Sequence, residues 1–303
     1  YLCIIACCVI TRRLTASRKN TFGGGTTAIM RYTLRLLATQ QFQRAMRLIL
    51  ALDSIRKWGS YNIGNDEPIS IGLFVGNDSL PNKMDGDDGL IHEAEDKWMA
   101  GQNSKIPLDK HCCPWCGGEL EWRGVRVGRS IEYKFRCTKS FCFNGGLPVL
   151  LCDELVYKTP PTLLFGTVDK FAMIAHNVDD NSAKKDSRRL FQLNGMSPDL
   201  IIQDELHLLS GPLGSAVGLF ECAIEQLCER YITTKDNNVI RIIPKVVSST
   251  ATTRNTEMQI AALYGRKVNV FPKNGINYDD SFYAFYKRDT SKPESLYQSK
   301  RKY

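Results

Sequence analysis

Residues 198–215 read PDLIIQDELHLLSGPLGS, and this stretch decides the fold. A short apolar run, Leu200–Gln203, leads into the adjacent carboxylates Asp204 and Glu205. The turn residues Ser210–Ser215 follow, and they open a segment in which apolar residues recur at helical spacing. Short apolar runs bounded by turn residues are typical of buried strands. The stretch therefore predicts a buried strand that ends in two acidic side chains and is followed by a tight loop and a helix.

Similar apolar runs occur along the rest of the chain. Strand-like runs lie at 26–32, 71–75, 162–167, 200–203, 245–249 and 267–271. Longer segments separate them, and after Ala45 and Ser215 the apolar residues recur at three- and four-residue steps, as on one face of a helix. Alternating strands and helices indicate an α/β fold with a parallel sheet, in which functional residues gather at the carboxyl ends of the strands.

The composition is that of a globular protein. Of 303 residues, 43% are hydrophobic and 24% are charged, which excludes an intrinsically disordered chain. The net charge of +8 suits a polyanionic partner, although a solvated lysine face gives the same sum. Residues 1–10 are apolar but too short to span a bilayer and lack the pattern of a signal peptide, so we expect a buried helix there. We expect a cytoplasmic protein without a membrane partner.

Two apolar runs end in an Asp-Glu pair, at Asp153-Glu154 and at Asp204-Glu205. In a nucleotide hydrolase, a strand-end aspartate holds Mg²⁺ and an adjacent carboxylate orients or deprotonates the attacking water. The second pair is followed by His207 and by a tight loop that opens a helix, which are the surroundings that this chemistry needs. We therefore interpret the second pair as the site and the first as a surface acidic pair at a strand end.

At these positions the chain resembles the DExH-box superfamily 2 helicases, with DELH at 204–207 as the Walker B box. Three more segments resemble family motifs in the family's order. They are TAIMRYTLRLLATQQFQRA at 27–45 for motif Ia, PTLLFGTVDKFA at 161–172 for the Ib region, and SSTATTRN at 248–255 for motif III. More narrowly, the four segments resemble the helicase of the bacterial DISARM antiphage system. The resemblance implies a RecA-like parallel sheet with helices on both faces.

The resemblance also implies roles for individual residues. Asp204 would hold Mg²⁺ through water, Glu205 would polarise the attacking water, and His207 would couple hydrolysis to motif III, including Thr250 and Thr252. Contacts with the nucleic-acid backbone are implied for Arg31, Thr33, Arg35, Gln40, Gln41, Thr167 and Lys170. Such contacts set register and affinity rather than base sequence, and each of these residues has the alternative of being an ordinary surface residue. ATP and Mg²⁺ are the implied cofactors.

The chain departs from the family at the phosphate-binding loop. A P-loop has the pattern G-x-x-x-x-G-K-[ST], and these 303 residues contain no Gly-Lys pair. In the family that loop precedes the helix upstream of motif Ia, and residues 1–14 resemble this helix. We therefore expect the sequence to begin just after the P-loop. The second RecA-like domain of the family has no match before Tyr303. On its own, this stretch is expected not to hydrolyse ATP efficiently.

Eleven cysteines in a long chain without a signal peptide indicate reduced thiols and a metal site. Cys113, Cys116, Cys137 and Cys142 have the spacing of a zinc ribbon, so we predict Zn²⁺ bound by four thiolates. Cys112 could replace Cys113, and His111 could be an outer-shell group. The basic and aromatic residues between the two pairs could grip a nucleic-acid strand or form the core of the module. The other six cysteines, namely Cys3, Cys7, Cys8, Cys152, Cys222 and Cys228, are predicted to be buried.

Together these features predict an ATP-dependent nucleic-acid helicase or translocase motor in bacterial antiphage defence, with DNA rather than RNA as its partner. The resemblance also implies a multi-subunit defence complex that includes a methyltransferase. The predicted segments are the first part of the RecA-like domain at 1–76, an acidic, solvated insertion at 77–110, a zinc-ribbon-like module at 111–147, the second part of the domain at 148–275, and a linker at 276–303.

Two other functions remain open. The first is a non-catalytic nucleic-acid-binding or scaffold protein that keeps a degenerate RecA-like fold and a zinc ribbon. The second is a metal-dependent hydrolase that uses both Asp-Glu pairs. This second alternative is disfavoured because the chain has only four histidines and no H-E-x-x-H motif.

Overall fold

A computed structural model describes most of the chain. The described residues are 1–33, 35–59, 63, 67–76, 80–84, 91–102, 105–127, 130–143, 145–176, 186–234, 236–250, 256–271, 284–287 and 298–301. The chain divides into two compact units, Tyr1–Arg254 and Asn255–Tyr303. The second unit contains α7 (Thr256–Tyr264) and an antiparallel pair of strands, Ala284–Lys287 and Gln298–Arg301, numbered β11 and β12.

The first unit contains the remaining helices and strands. In chain order they are α1 (Leu2–Lys19), β1 (Ala28–Tyr32), α2 (Arg35–Trp58), β2 (Ile71–Phe74), α3 (Ile91–Met99), β3 (Leu120–Val127), β4 (Ser130–Cys137), β5 (Val149–Leu150), α4 (Asp153–Lys158), β6 (Leu163–Thr167), α5 (Val168–Ala172), β7 (Leu200–Gln203), α6 (Gly211–Cys228), β8 (Arg230–Thr233), β9 (Val239–Ile242) and β10 (Lys245–Ser248).

Six strands of this unit form one sheet in the order β10-β7-β1-β6-β2-β5. Each neighbouring pair is parallel, and Arg31 on β1 lies opposite Gln203 on β7 and Gly166 on β6. Long connections with helices join the strands, as parallel pairing requires. The structure therefore confirms the predicted α/β class with a parallel sheet.

Helices cover both faces of the sheet, and the alternation of side chains along the strands explains how. On β1, Ala28 and Met30 pack in one core with residues of α1 and α2, including Ile5 and Phe42. Ile29 points to the opposite face and packs in a second core with residues of α4, α5 and α6. Since both faces are buried, the strands can be apolar throughout, which is why they appear in the sequence as continuous apolar runs.

One close approach on β6 requires glycine. A Cβ added at Gly166 would lie 2.7 Å from Cε2 of Phe171 and 3.0 Å from the carbonyl oxygen of Phe74. Phe171 belongs to α5, which begins immediately after β6. The missing side chain therefore allows α5 to fold back tightly against the strand that precedes it.

The acidic composition of 77–110 predicts a solvated insertion, but the part of this range that the structure describes includes a packed helix. Within it, α3 buries Ile91 and Trp98. Trp98 packs edge-on against Trp122 and Phe135 of the antiparallel β3–β4 hairpin, with ring centroids 6.2 and 5.5 Å away. Trp122 and Phe135 stack on each other at 4.7 Å. These two hairpin aromatics therefore form the core of the zinc-ribbon-like module at 111–147, which we call the cysteine module.

Two smaller predictions differ from the structure. Cys3, Cys7 and Cys222 are exposed, because α1 and α6 each bury only one side against the sheet. The run 267–271 forms no strand, and its residues Val270 and Phe271 are exposed. In the described residues, none of the helices has the length and apolarity needed to cross a membrane.

Candidate functional site

The candidate site lies where β7 ends at the carboxyl edge of the sheet. The amide of Asp204 donates to the carbonyl of Arg31, which extends the pairing of β7 with β1 by one residue. Glu205 then adopts a left-handed conformation, with φ 51° and ψ 46°. This conformation is uncommon for a residue with a side chain. The turn that it produces ends the strand and leads into a short 3-10 helix at Leu206–Leu208.

The Asp204 carboxylate is held by its neighbours. Its Oδ1 atom accepts hydrogen bonds from the hydroxyl of Ser249 and, at 3.1 Å, from the amide of Glu205. Ser249 follows β10, and its own backbone bonds to Gln203 and Leu206 fix it beside the end of β7. The carboxylate is therefore oriented by two elements that are 45 residues apart in the sequence.

Two tyrosines complete the surroundings of Asp204. The Tyr32 hydroxyl donates to the sulfur of Met30 at 3.8 Å, and burial, followed by the charge of Asp204, raises the pKa of Tyr32 above its usual range. Tyr1 lies beside Ser249, and its pKa is also raised, first by burial and then by Asp204 and Glu205. Burial therefore keeps both hydroxyls uncharged beside the two carboxylates.

Glu205 and His207 form the more open part of the site. Oε2 of Glu205 lies 3.4 Å from Nδ1 of His207, and the two side chains are 39% and 31% exposed. Both are therefore accessible to water and to a ligand. The site combines two carboxylates and a serine hydroxyl, the hard oxygen donors that suit Mg²⁺, with an imidazole next to the more exposed carboxylate.

The motif III residues are only partly covered by the structure. Thr250 is the second residue after β10 and is exposed, whereas Thr252 lies outside the described residues. Ser249 contacts Asp204, whereas the family resemblance implies a role for its neighbour Thr250. The sequence does contain a pattern that could have indicated Ser249, since this residue belongs to the same SSTATTRN segment. The involvement of Tyr1 and Tyr32 has no sequence signal.

The resemblance implies that Arg31 contacts phosphate at the surface, but the structure places this side chain in the interior. It is 1% exposed, and its Nη1 atom donates to Oε1 of Glu221 on α6. The alternation of β1 directs this side chain to the face that α6 covers. Backbone contact by Arg31 stays a prediction, but in this structure its guanidinium is engaged inside the protein.

Lys170 is also buried. Its Nζ atom lies 2.6 Å from Oδ2 of Asp153 and donates to Asn82 at 3.4 Å, and it packs 5.1 Å from the ring of Phe74. Asp153 is therefore buried, and the prediction that it belongs to a surface acidic pair is wrong. Burial raises the pKa of Asp153 to about 6, and the charge of Lys170 opposes this rise. The pair ties the start of α4 to α5 in the core.

The other predicted nucleic-acid residues lie near the same edge of the sheet or on α2. Thr33 follows β1, and Thr167 ends the neighbouring strand β6. Among the described residues, the buried hydroxyls of these two threonines have no hydrogen-bond partner. Gln40 is exposed on α2 and Gln41 is half-buried. Arg35 begins the same helix, and its side chain lies outside the described part.

The four predicted metal ligands come together. The Sγ atoms of Cys113, Cys116, Cys137 and Cys142 all lie within 4.8 Å of one another. The Cys113–Cys142 and Cys116–Cys137 sulfur atoms are 3.8 and 3.3 Å apart. Zn–S bonds of about 2.3 Å in a tetrahedron separate sulfur atoms by about 3.8 Å, so the cluster fits Zn²⁺.

The two alternatives at this site lie outside the cluster. Cys112 is exposed and is not one of the four grouped sulfur residues. His111 is exposed, with its Nδ1 atom 3.6 Å from a carboxylate oxygen of Glu119. The geometry therefore favours Cys113 over Cys112 as the ligand. The exposed His111 side chain lies beside the carboxylate of Glu119 at the surface.

Comparison with known proteins gives one strong similarity. The DISARM protein DrmA of Bacillus paralicheniformis is 32% identical to this chain over an alignment 319 positions long. The chain is similar to a DISARM protein. The alignment covers 94% of the chain and 28% of DrmA, so the chain spans little more than a quarter of that relative. This match confirms the resemblance to a DISARM protein that the motifs predict.

The other comparisons add little. No protein-family model matches the chain. The crystal structure of the DUF1998 helicase MrfA bound to DNA aligns with 86% of this chain and 24% of its own, at a TM-score of 0.31 and 15% identity. A structural similarity this low carries no inference about function.

Proposed function

We propose that the chain is part of an ATP-dependent nucleic-acid helicase or translocase motor that acts in bacterial antiphage defence. The observation that carries the proposal is the Asp204 carboxylate, which Ser249 orients at the end of β7, with Glu205 and His207 beside it. The similarity to DrmA, a DISARM protein, supports the defence setting. A multi-subunit complex that includes a methyltransferase is part of the proposal.

Each residue of the site has a task that matches its surroundings. Asp204 is fixed by two hydrogen bonds, so it is suited to holding Mg²⁺ through a water molecule. With a bound nucleotide, Mg²⁺ would supply neutralisation of the charge on the transferred phosphoryl group. Glu205 is more exposed and would accept the proton of the attacking water. His207, next to Glu205, would link this carboxylate to the segment after β10.

Nucleic acid would lie along the same edge of the sheet. Thr33 follows β1 and Thr167 ends the neighbouring strand β6, and contact of these two residues with phosphate or sugar oxygens is part of the proposal. Gln40 is exposed and could contribute a further backbone contact. DNA is the proposed partner. The cysteine cluster would hold Zn²⁺, which would fix the two loops that carry its ligands.

The test is the Glu205→Gln substitution in the full-length protein, compared with Glu154→Gln as a matched control. Glu154 belongs to the other Asp-Glu pair, where it accepts a hydrogen bond from the amide of Met84 at 2.8 Å. Loss of a general base should lower DNA-stimulated ATP turnover by about a hundredfold or more. Nucleotide binding should persist in E205Q, and E154Q should keep its turnover.

Two results would contradict the proposal. Turnover that survives in E205Q would remove Glu205 from the chemistry. A wild-type protein that binds DNA in a salt-dependent way, but neither hydrolyses ATP nor responds to nucleotide, would favour the non-catalytic nucleic-acid-binding or scaffold function.

A further inference from the structure

Two exposed tryptophans meet where α2 contacts the cysteine module. Trp58 ends α2 and is 56% exposed, and Trp115 lies between the ligands Cys113 and Cys116 and is 40% exposed. Their ring centroids are 6.5 Å apart, and the planes are inclined by 38°. Large apolar side chains that remain exposed side by side often mark a binding surface.

The two tryptophans rest on a buried ring. Phe143 is buried, and its centroid lies 5.2 Å from that of Trp58 and 5.6 Å from that of Trp115. We call these three residues the aromatic platform. Since Phe143 fixes the two tryptophans from below, their exposed faces are held in place before any partner binds. Preorganisation of this kind reduces the entropy that binding costs.

Lysines border the platform. The ammonium group of Lys57 lies 4.8 Å from the centroid of Phe143, and its nearest carboxylate contact, to the buried Asp53, is at 4.0 Å. Lys139 donates to the carbonyl of Cys116, next to Trp115, and lies 5.8 Å from the ring of Phe141. Phe141 is itself 72% exposed. The surface therefore presents aromatic faces together with positive charge.

We propose that the aromatic platform binds single-stranded nucleic acid, with bases stacked on Trp58 and Trp115 and phosphates near Lys57 and Lys139. Aromatic faces beside cations form the sequence-tolerant surface that single strands require. The platform differs from the hairpin aromatics Trp122 and Phe135, which are buried in the module. The inference extends the nucleic-acid part of the proposed function and is independent of the chemistry at Glu205.

The first experiment measures binding of a fluorescein-labelled oligothymidylate of about 20 nucleotides to the zinc-loaded, full-length protein without ATP. Trp58→Ala and Trp115→Ala should each weaken binding about tenfold, since one stacked base is lost in each variant. Tyr231→Ala is the matched control, because it removes an exposed aromatic ring from β8 and should leave the affinity unchanged. Lys57→Gln and Lys139→Gln should each reduce the salt slope by about 0.7.

A second experiment needs no substitution and so avoids variants that fail to fold. The same oligonucleotide, carrying one photoreactive 5-iodouracil, is crosslinked to the wild-type protein, and the modified peptides are identified by mass spectrometry. Crosslinks at Trp58 or Trp115 support the platform. Crosslinks only at other sites, such as the carboxyl edge near Gln40, overturn it while leaving the proposed function intact.

The remaining outcomes are also decisive. If both tryptophan variants keep their zinc and bind the oligonucleotide as tightly as the wild type, the platform does not contact nucleic acid. If the wild-type protein does not bind the single strand at low salt, both this inference and the nucleic-acid part of the proposed function fail. A tryptophan variant that loses a protein partner but not the oligonucleotide would assign the platform to protein docking instead.

Discussion

Replacing Lys170 by methionine should destabilise the protein at pH 8 much more than at pH 5. Lys170 and Asp153 are 2.6 Å apart, with side chains that are only 9% and 8% exposed. Removing one partner of a buried ion pair leaves an uncompensated charge, which costs about 3–5 kcal/mol. Methionine is unbranched like lysine, so the packing against Phe74 is largely retained.

The pH dependence follows from the pKa of Asp153, which burial raises from 3.8 to about 6. A raised pKa means that the folded state favours the protonated carboxyl. The stability that this group contributes is therefore greatest below pH 3.8, is lost as the pH rises towards about 6, and stays lost above it. The shift of about two units corresponds to about 3 kcal/mol.

Lys170→Met should raise the pKa of Asp153 further, because it removes the positive charge that opposes burial. At pH 8 the free energy of unfolding should fall by about 3–5 kcal/mol, whereas at pH 5 the carboxyl is largely neutral and the loss should be about 1 kcal/mol or less. Urea titrations followed by circular dichroism at both pH values measure the difference.

Two variants make this test sharper. Lys134→Met removes an exposed partner of Glu132 and should cost less than about 1 kcal/mol at either pH. The double variant Asp153→Asn/Lys170→Met should recover most of the stability at pH 8, because no unpaired charge remains. Equal losses at pH 5 and pH 8 for Lys170→Met would refute the reasoning, as would a loss below about 1 kcal/mol at pH 8.

Two further predictions concern the metal cluster and the packing of α5. Cys137→Ser should abolish zinc binding, whereas the exposed Cys112→Ser should retain one zinc per chain in elemental analysis; zinc loss in C112S alone would reverse the ligand assignment. Gly166→Ala should lower the free energy of unfolding by about 1–3 kcal/mol, because its Cβ would meet Phe171 at 2.7 Å. Gly145→Ala meets nothing within 4 Å and should be nearly neutral, and equal stability of the two alanine variants in urea would contradict the clash.

The parts of the fold that the sequence predicts well are those in which one local pattern carries the information. The run Leu200–Gln203 is apolar because both of its faces are covered, and Asp204 and Glu205 follow where the strand must end. The cysteine cluster is similar, because metal ligands lie in two short loops whose spacing is visible in the sequence. These features depend little on distant partners.

The parts that the sequence does not predict depend on partners far along the chain. Arg31 looks like a surface cation until Glu221, 190 residues later, is found beside it. Lys170 and Asp153 look like separate surface charges, and only the sheet brings them together. The acidic composition of 77–110 gives no indication that Trp98 is buried. Its neighbours on β3 and β4 complete the core of the module. Trp58 gives no sign of its contact with Trp115.

The helix α2 sets a distance within the molecule. It begins at Arg35, just beyond the end of β1, and runs for 24 residues to Trp58 beside the cysteine cluster. At 1.5 Å per residue this is a rod of about 36 Å. A change of about 10° in the direction of the helix at its start would place Trp58 about 6 Å away, so the position of the aromatic platform depends on how α2 is held at the sheet edge. Inserting or deleting one residue in α2 would rotate Trp58 by about 100° around the helix axis and separate it from Phe143.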